Sequence, residues 1–215
     1  MRLWHSRRQS FGEEMANSLT HGIAALLVLC SMPAMAVIAY RKGTAADVAG
    51  ISIFCISIFL MFLMSALYHA MEHESRHQKI FKILDHIFIY VAIAGTYTPV
   101  ALRVIGGWKA VTILAVQWAM VLAGILYKSL ARKPMPKISL AMYLVMGWTV
   151  VPILPSFYRN ANPVLFWLLF AGGLCYSLGA VFYAMQSVRY HHMIWHLFVF
   201  AGAFCHYVGI CGFLY

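Results

Sequence analysis

Long apolar runs alternate with short charged stretches along this chain. Read for stretches nearly free of Asp, Glu, Lys and Arg, the sequence offers Ser18 to Tyr40, Val48 to Ala70, Ile83 to Leu102, Ala110 to Tyr127, Ile138 to Leu154, Val164 to Met185 and His191 to Phe213. Only the third carries a formal charge, Asp85. Each run matches a hydrocarbon layer of about 30 Å crossed at about 1.5 Å per residue. None shows the in/out alternation of a membrane barrel strand, and backbone groups in lipid must be paired internally. The runs therefore predict an all-α fold, a seven-helix transmembrane bundle forming one domain over residues 1–215.

Composition strengthens that picture. The chain is 63% hydrophobic and 10% charged. Seven spans of roughly 20 residues use about 140 positions, which leaves no room for a soluble domain. Arg7 and Arg8 followed by an apolar run and Ala34-Met35-Ala36 resemble a cleavable signal peptide. Glu13 and Glu14 spoil its basic region, and apolar sequence continues through Val37, Ile38 and Ala39, so an uncleaved first helix fits better. No internal repeat suggests a transporter of two related halves. Pro33, Pro99, Pro152 and Pro155 are expected to mark kinks.

The formal charge of +10 does not point to nucleic acid, because the basic residues are scattered between apolar runs rather than gathered on one face. Anionic lipid is the expected counter-charge. Arg2, Arg7, Arg8, Arg76, Lys79, Lys82, Lys128, Arg132, Lys133, Lys137 and Arg189 fall on one side of the bundle, against Arg41, Lys42, Arg103, Lys109 and Arg159 on the other. Cytoplasmic loops carry the basic excess, so the amino terminus is expected inside a cell membrane and the carboxyl terminus outside. Cys30, Cys55, Cys175, Cys205 and Cys211 lie within apolar runs without C-x-x-C spacing and read as packing residues.

Polar groups inside a bilayer are costly, so their depth is informative. With this orientation His21 lies in the first turn of the first span, Ser65 and His69 in the last two turns of the second, Asp85 in the first turn of the third, and His192 and His196 at the start of the seventh. Four helices thus deliver polar side chains to one cytoplasmic layer. His192 and His196, at i and i+4, stack on one helix face about 6 Å apart along the axis. His69 supplies a third imidazole, giving three ligands and an open position for water, the ligand count of a catalytic zinc site. Iron, nickel or copper would also accept these ligands. Asp85 reads as an orienter of a ligand or water, or as the general base, and Ser65 as a hydroxyl for water or a substrate carbonyl. Against these stand bland readings: Asp85 as a helix N-terminal carboxylate, and Ser65 as an interface serine bonded to its own helix. His73 and His77 extend the His69 spacing but sit among charges, and His206, about 15 Å deeper, reads as a core histidine. Glu14, Asn17 and His21 form one stripe. It is either an interfacial collar, with Asn17 or Ser18 as helix cap, or a set that orients a ligand and lines the way into the site.

Three blocks carry a family resemblance over essentially the whole chain: Glu14-Met15-Ala16-Asn17-Ser18-Leu19-Thr20-His21; Ser65-Ala66-Leu67-Tyr68-His69 with Leu84-Asp85-His86 and Ala94-Gly95-Thr96-Tyr97-Thr98-Pro99; and His192 to His196 running into Leu197-Phe198-Val199. The sequence resembles the bacterial hemolysin III proteins of the progestin and adiponectin receptor (PAQR) family. The resemblance implies one zinc ion held by His69, His192 and His196, with Asp85 and Ser65 lining its site. It also implies kinship with alkaline ceramidases, and so metal-dependent hydrolysis of a lipid amide. The chain lacks the long amino-terminal region of the eukaryotic receptors, which argues against a hormone-receptor role.

Three functions are weighed. The leading one is an intramembrane zinc hydrolase of lipid amides, with membrane lipids as both solvent and candidate substrate. The second is a signalling or membrane-homeostasis protein with structural zinc. The third is an ion or proton conductor, or a membrane-damaging hemolysin. Conduction needs polar groups through the full thickness, whereas the outer half offers little beyond His206 and Gln117. No amphipathic pore-former is evident.

Overall fold

A computed structural model describes residues 9–131, 135–185, 187, 188 and 190–214. Arg2, Arg7, Arg8, Arg132, Lys133 and Arg189 of the charge argument lie outside the described residues. Among the described residues, eight α-helices build the fold: α1 Phe11–Lys42, α2 Ala45–Ala70, α3 Arg76–Val100, α4 Gly107–Leu130, α5 Pro136–Gly147, α6 Leu154–Asn160, α7 Pro163–Ala184 and α8 His191–Phe213. They make seven spans long and apolar enough to cross a membrane, the fifth built from α5, a 3-10 turn at Val151–Ile153 and α6. No strand occurs among the described residues. The chain is a multi-pass membrane protein.

Several helices start earlier than the apolar runs. α1 begins at Phe11, where Ser10 and Glu13 close a capping box. Neither Asn17 nor Ser18 is a cap: Asn17 is fully buried in mid-helix, and the Ser18 hydroxyl donates to the Ala66 carbonyl of α2 at 3.0 Å. α3 starts at Arg76 under a Ser75 cap, which puts Asp85 in the third turn rather than the first. Charged residues ended the apolar runs but not the helices, since a helix continues through the headgroups where Lys and Arg side chains reach water.

The helices run unbroken through Pro33, through Ala34-Met35-Ala36, and through Pro99, beyond which α3 passes into a π turn at Ala101–Ile105. The break comes at Pro152 and Pro155. There the exposed backbone groups find side-chain partners. Tyr97 Oη donates to the Gly147 carbonyl at 2.7 Å and accepts from Val150 N–H at 3.1 Å, and Gln117 Nε2 donates to the Met146 carbonyl at 2.9 Å. Non-helical backbone at this depth is stable because protein groups satisfy it.

α2 and α3 are central, each with half of its most apolar stretch buried, and α1 packs on α2 and α8. The main core gathers Phe54, Ile58 and Phe62 of α2 with Ala24 and Val28 of α1 and Val199 and Ala203 of α8. α7 and α8 approach closely at Gly172 and Gly202, where a Cβ on Gly202 would sit 3.0 Å from the Gly172 carbonyl. All five cysteines are free.

Candidate metal centre

Helix ends set the site. The amino-terminal turns of α1 and α8, the last turns of α2 and the third turn of α3 meet at one end of the bundle, with His21 about three turns into α1 rather than in its first turn because that helix starts at Phe11. His69 and His196 are almost wholly buried and His192 is half-buried. The ligand-type nitrogens of these three residues all lie within 4.8 Å of one another. Ring centroids are 5.1 Å apart for His69 and His192, 4.9 Å for His69 and His196, and 4.6 Å for His192 and His196. The i, i+4 spacing on α8 supplies two rings, and α2, antiparallel to α8 in the alternation of spans, brings the third to the same depth.

The donor set fits a tetrahedral divalent ion. Glu14 Oε2 lies 2.5 Å from His69 Nδ1. An ionised carboxylate only accepts, so Nδ1 carries the proton and the Nε2 lone pair faces inward. It faces His192 Nε2 at 3.3 Å. Two imidazole nitrogens each about 2.05 Å from a tetrahedral ion stand about 3.3 Å apart. The Glu14–His69 contact is the carboxylate–histidine pairing that fixes ring orientation at metal sites and raises ligand basicity. His196 is almost wholly buried, with the Asn17 backbone as its polar neighbour.

The remaining polar residues surround this set. His21 stacks face to face on His196, with centroids 3.8 Å apart and planes within 5°, and meets Phe62 edge-on. Buried His21 has the His196 backbone as its polar neighbour, whereas buried Ser65 Oγ has no hydrogen bond among the described residues. Asn17 Nδ2 donates to Gln9 Oε1 at 2.7 Å. A cavity of about 190 Å³ is lined by His21, Ser65, Asp85, His192 and His196 and extends between α3, α5, α7 and α8 along apolar side chains such as Ile89, Leu140, Phe166 and Leu169. Asp85 is largely covered, and its Oδ2 is 3.5 Å from His86 Nδ1. Its place in the third turn of α3 removes the macrodipole account of this carboxylate, because that effect fades within the first turn.

Two expected exclusions hold in place. His73 sits in the loop after α2 with its side chain exposed, and His206, farther along α8, donates from Nε2 to the Leu169 carbonyl at 3.0 Å rather than joining the cluster. Sequence reasoning missed two residues. His86 lines the cavity beside Asp85, held by the Lys82 carbonyl at 2.6 Å, and its adjacency to Asp85 was the available signal. Glu13, buried in the first turn of α1, reaches the backbone just before α8, and no local pattern announces that contact.

Comparison with known proteins agrees in extent with this architecture. The family model described as "Haemolysin-III related" matches residues 9–207. The chain is 39% identical over 191 residues to "Hemolysin-3" of Bacillus cereus, covering 89% of this chain and 87% of that protein. It is also 39% identical over 191 residues to the "Hemolysin-3 homolog" of Bacillus subtilis (strain 168), covering 89% of each. A more distant likeness, 28% over 209 residues, joins it to the human "Monocyte to macrophage differentiation factor", covering 94% of this chain and 85% of that one.

Proposed function

The chain belongs to the haemolysin-III related family, and from that premise and its buried histidine cluster we propose that it is a zinc-dependent hydrolase of lipid amides, of the PAQR and ceramidase kind, working inside the membrane. The observation that carries the reading is the convergence of three ligand-type nitrogens within 4.8 Å beside a cavity that Ser65 and Asp85 also line. A zinc ion held by His69, His192 and His196 supplies Lewis-acid polarisation of a carbonyl and makes water a stronger acid at neutral pH.

The chain's own residues do the rest. Glu14 holds His69 in the ligating tautomer. Asp85, on the cavity wall, accepts the proton given up by the attacking water, and later releases it to the amine that leaves. The Ser65 hydroxyl, buried and without a protein partner, donates to the carbonyl oxygen as charge gathers there. The apolar wall between α3, α5 and α7 receives the acyl chain from lipid. The excess of Lys and Arg at the amino-terminal end supports a cytoplasmic setting for this layer.

The test is metal analysis of the purified protein, followed by product detection against a membrane lipid extract for wild type, Asp85→Asn and the His192→Ala/His196→Ala pair. Bound zinc together with an amide-hydrolysis product lost in both variants is expected. Turnover that survives loss of zinc in the double variant overturns the mechanism.

A further inference from the structure

We propose that Glu13 is a positioning residue for the metal site, fixing where α8 begins and so where His192 stands, by way of the left-handed residue Tyr190. The proposal rests on the reading of His69, His192 and His196 as a metal-binding set.

Glu13 uses both carboxylate oxygens. Oε2 accepts from Ser10 N–H at 2.7 Å, which closes the capping box of its own helix. Oε1 accepts from Tyr190 N–H at 3.3 Å, a residue 177 positions away in the chain. A capping box needs only the first of these bonds. Glu13 is 7% exposed, so the second bond is sheltered from water rather than a passing surface contact.

The partner backbone needs such an anchor. Tyr190 has φ 59° and ψ 17°, the left-handed region, which is sterically unfavourable for a non-glycine residue. It is the residue on which α8 starts, since its carbonyl accepts from Ile194 N–H at 2.9 Å, and among the described residues no side chain donates or accepts a capping hydrogen bond there. His192 follows in the first turn, where helices fray and where a change of starting residue rotates a ligand away. His196, a turn further on, is held independently by its stack on His21. Glu14, next in sequence to Glu13, meets His69 of α2. Adjacent carboxylates on the first turn of α1 therefore hold ligands on two other helices in register.

Glutamine at position 13 has one acceptor where two are used, so Glu13→Gln opposes one of the two N–H groups with its own amide. Ser10→Ala weakens the same helix cap without touching Tyr190. Tyr190→Gly removes the left-handed cost and lets α8 start in place without the anchor. The full-length proteins in detergent are titrated with zinc against a chromophoric chelator. Co²⁺ replaces zinc for visible absorption, which reports ligand number, and melting is followed without metal. Glu13→Gln is expected to weaken zinc by about tenfold, the lower end of what loss of a supporting contact does to a metal site, and to reduce the Co²⁺ band. Melting without metal stays unchanged, Ser10→Ala binds as wild type, and Glu13→Gln/Tyr190→Gly recovers most of the affinity. Zinc affinity in Glu13→Gln within about twofold of wild type, an equal loss in Ser10→Ala, or no recovery with Tyr190→Gly overturns the proposal. Failure of the wild-type protein to bind either ion is a separate result, which removes the metal site itself.

Discussion

Removing the Glu14 carboxylate is the sharpest perturbation of the site that leaves every ligand in place. Its Oε2 contacts His69 Nδ1 at 2.5 Å, with the imidazole fully covered and the carboxylate about three-quarters covered. Two effects are separable. The charge raises the basicity of the opposite nitrogen, and the acceptor fixes the ring and its tautomer. Glu14→Gln keeps an acceptor and loses only the charge, so zinc affinity should fall about tenfold; Glu14→Leu loses both and should fall about 100-fold, or about 2.7 kcal/mol. Zinc titration against a competing chelator measures both variants under the same conditions. The order matters as much as the size. Equal losses in the two variants would remove the role of charge, and affinities for both within about threefold of wild type would refute the claim that Glu14 supports the ligand.

His196→Ala should abolish stoichiometric zinc and also release His21, read as a changed imidazole environment by NMR, whereas His206→Ala, at a ring bonded to the Leu169 carbonyl, should leave zinc stoichiometry intact. Tyr97→Phe strands the Gly147 carbonyl and the Val150 N–H at the break in the fifth span and should destabilise the detergent-solubilised protein by about 1–3 kcal/mol, seen as a lower melting temperature without loss of metal. Gly202→Val drives a side chain against the Gly172 carbonyl and the Tyr176 ring and should cost about 1–3 kcal/mol by forcing α7 from α8, measured in the same melting assay.

The parts of this architecture legible in the sequence are those set by short-range spacing or by depth. Two imidazoles at i and i+4 share a helix face wherever the helix goes, so His192 and His196 could be paired without coordinates. His69, Ser65 and Asp85 were brought to the same layer by counting turns from the ends of apolar runs, a rule that survives errors of a few residues in helix boundaries. Those errors were real at α1 and α3, because the hydrocarbon ends before the helix does. Contacts decided by packing were not legible. The stack of His21 on His196, the bond from Glu13 to Tyr190, and the partners of the broken fifth span each join residues far apart in sequence, on faces that no periodicity identifies.

Stability alone will not separate a catalytic zinc from a structural one in this protein. Anything bound only by the folded state stabilises it, by about 4.1 kcal/mol at a thousandfold excess over Kd, whichever role it plays. Three ligand-type nitrogens within 4.8 Å of one another offer that gain to a bound ion in either case. The discriminating residue is therefore one that lines the cavity and is not among the ligands. Asp85→Asn keeps the shape and burial of the side chain and leaves all three imidazoles untouched. If zinc only ties α2 to α8, this variant should match wild type in metal content, in metal-dependent melting and in its lipid products. If Asp85 carries the proton, metal content and melting should stay constant while turnover falls by at least about 100-fold, the lower range for loss of a general base. Equal turnover in wild type and Asp85→Asn, at equal zinc, would refute the assigned role.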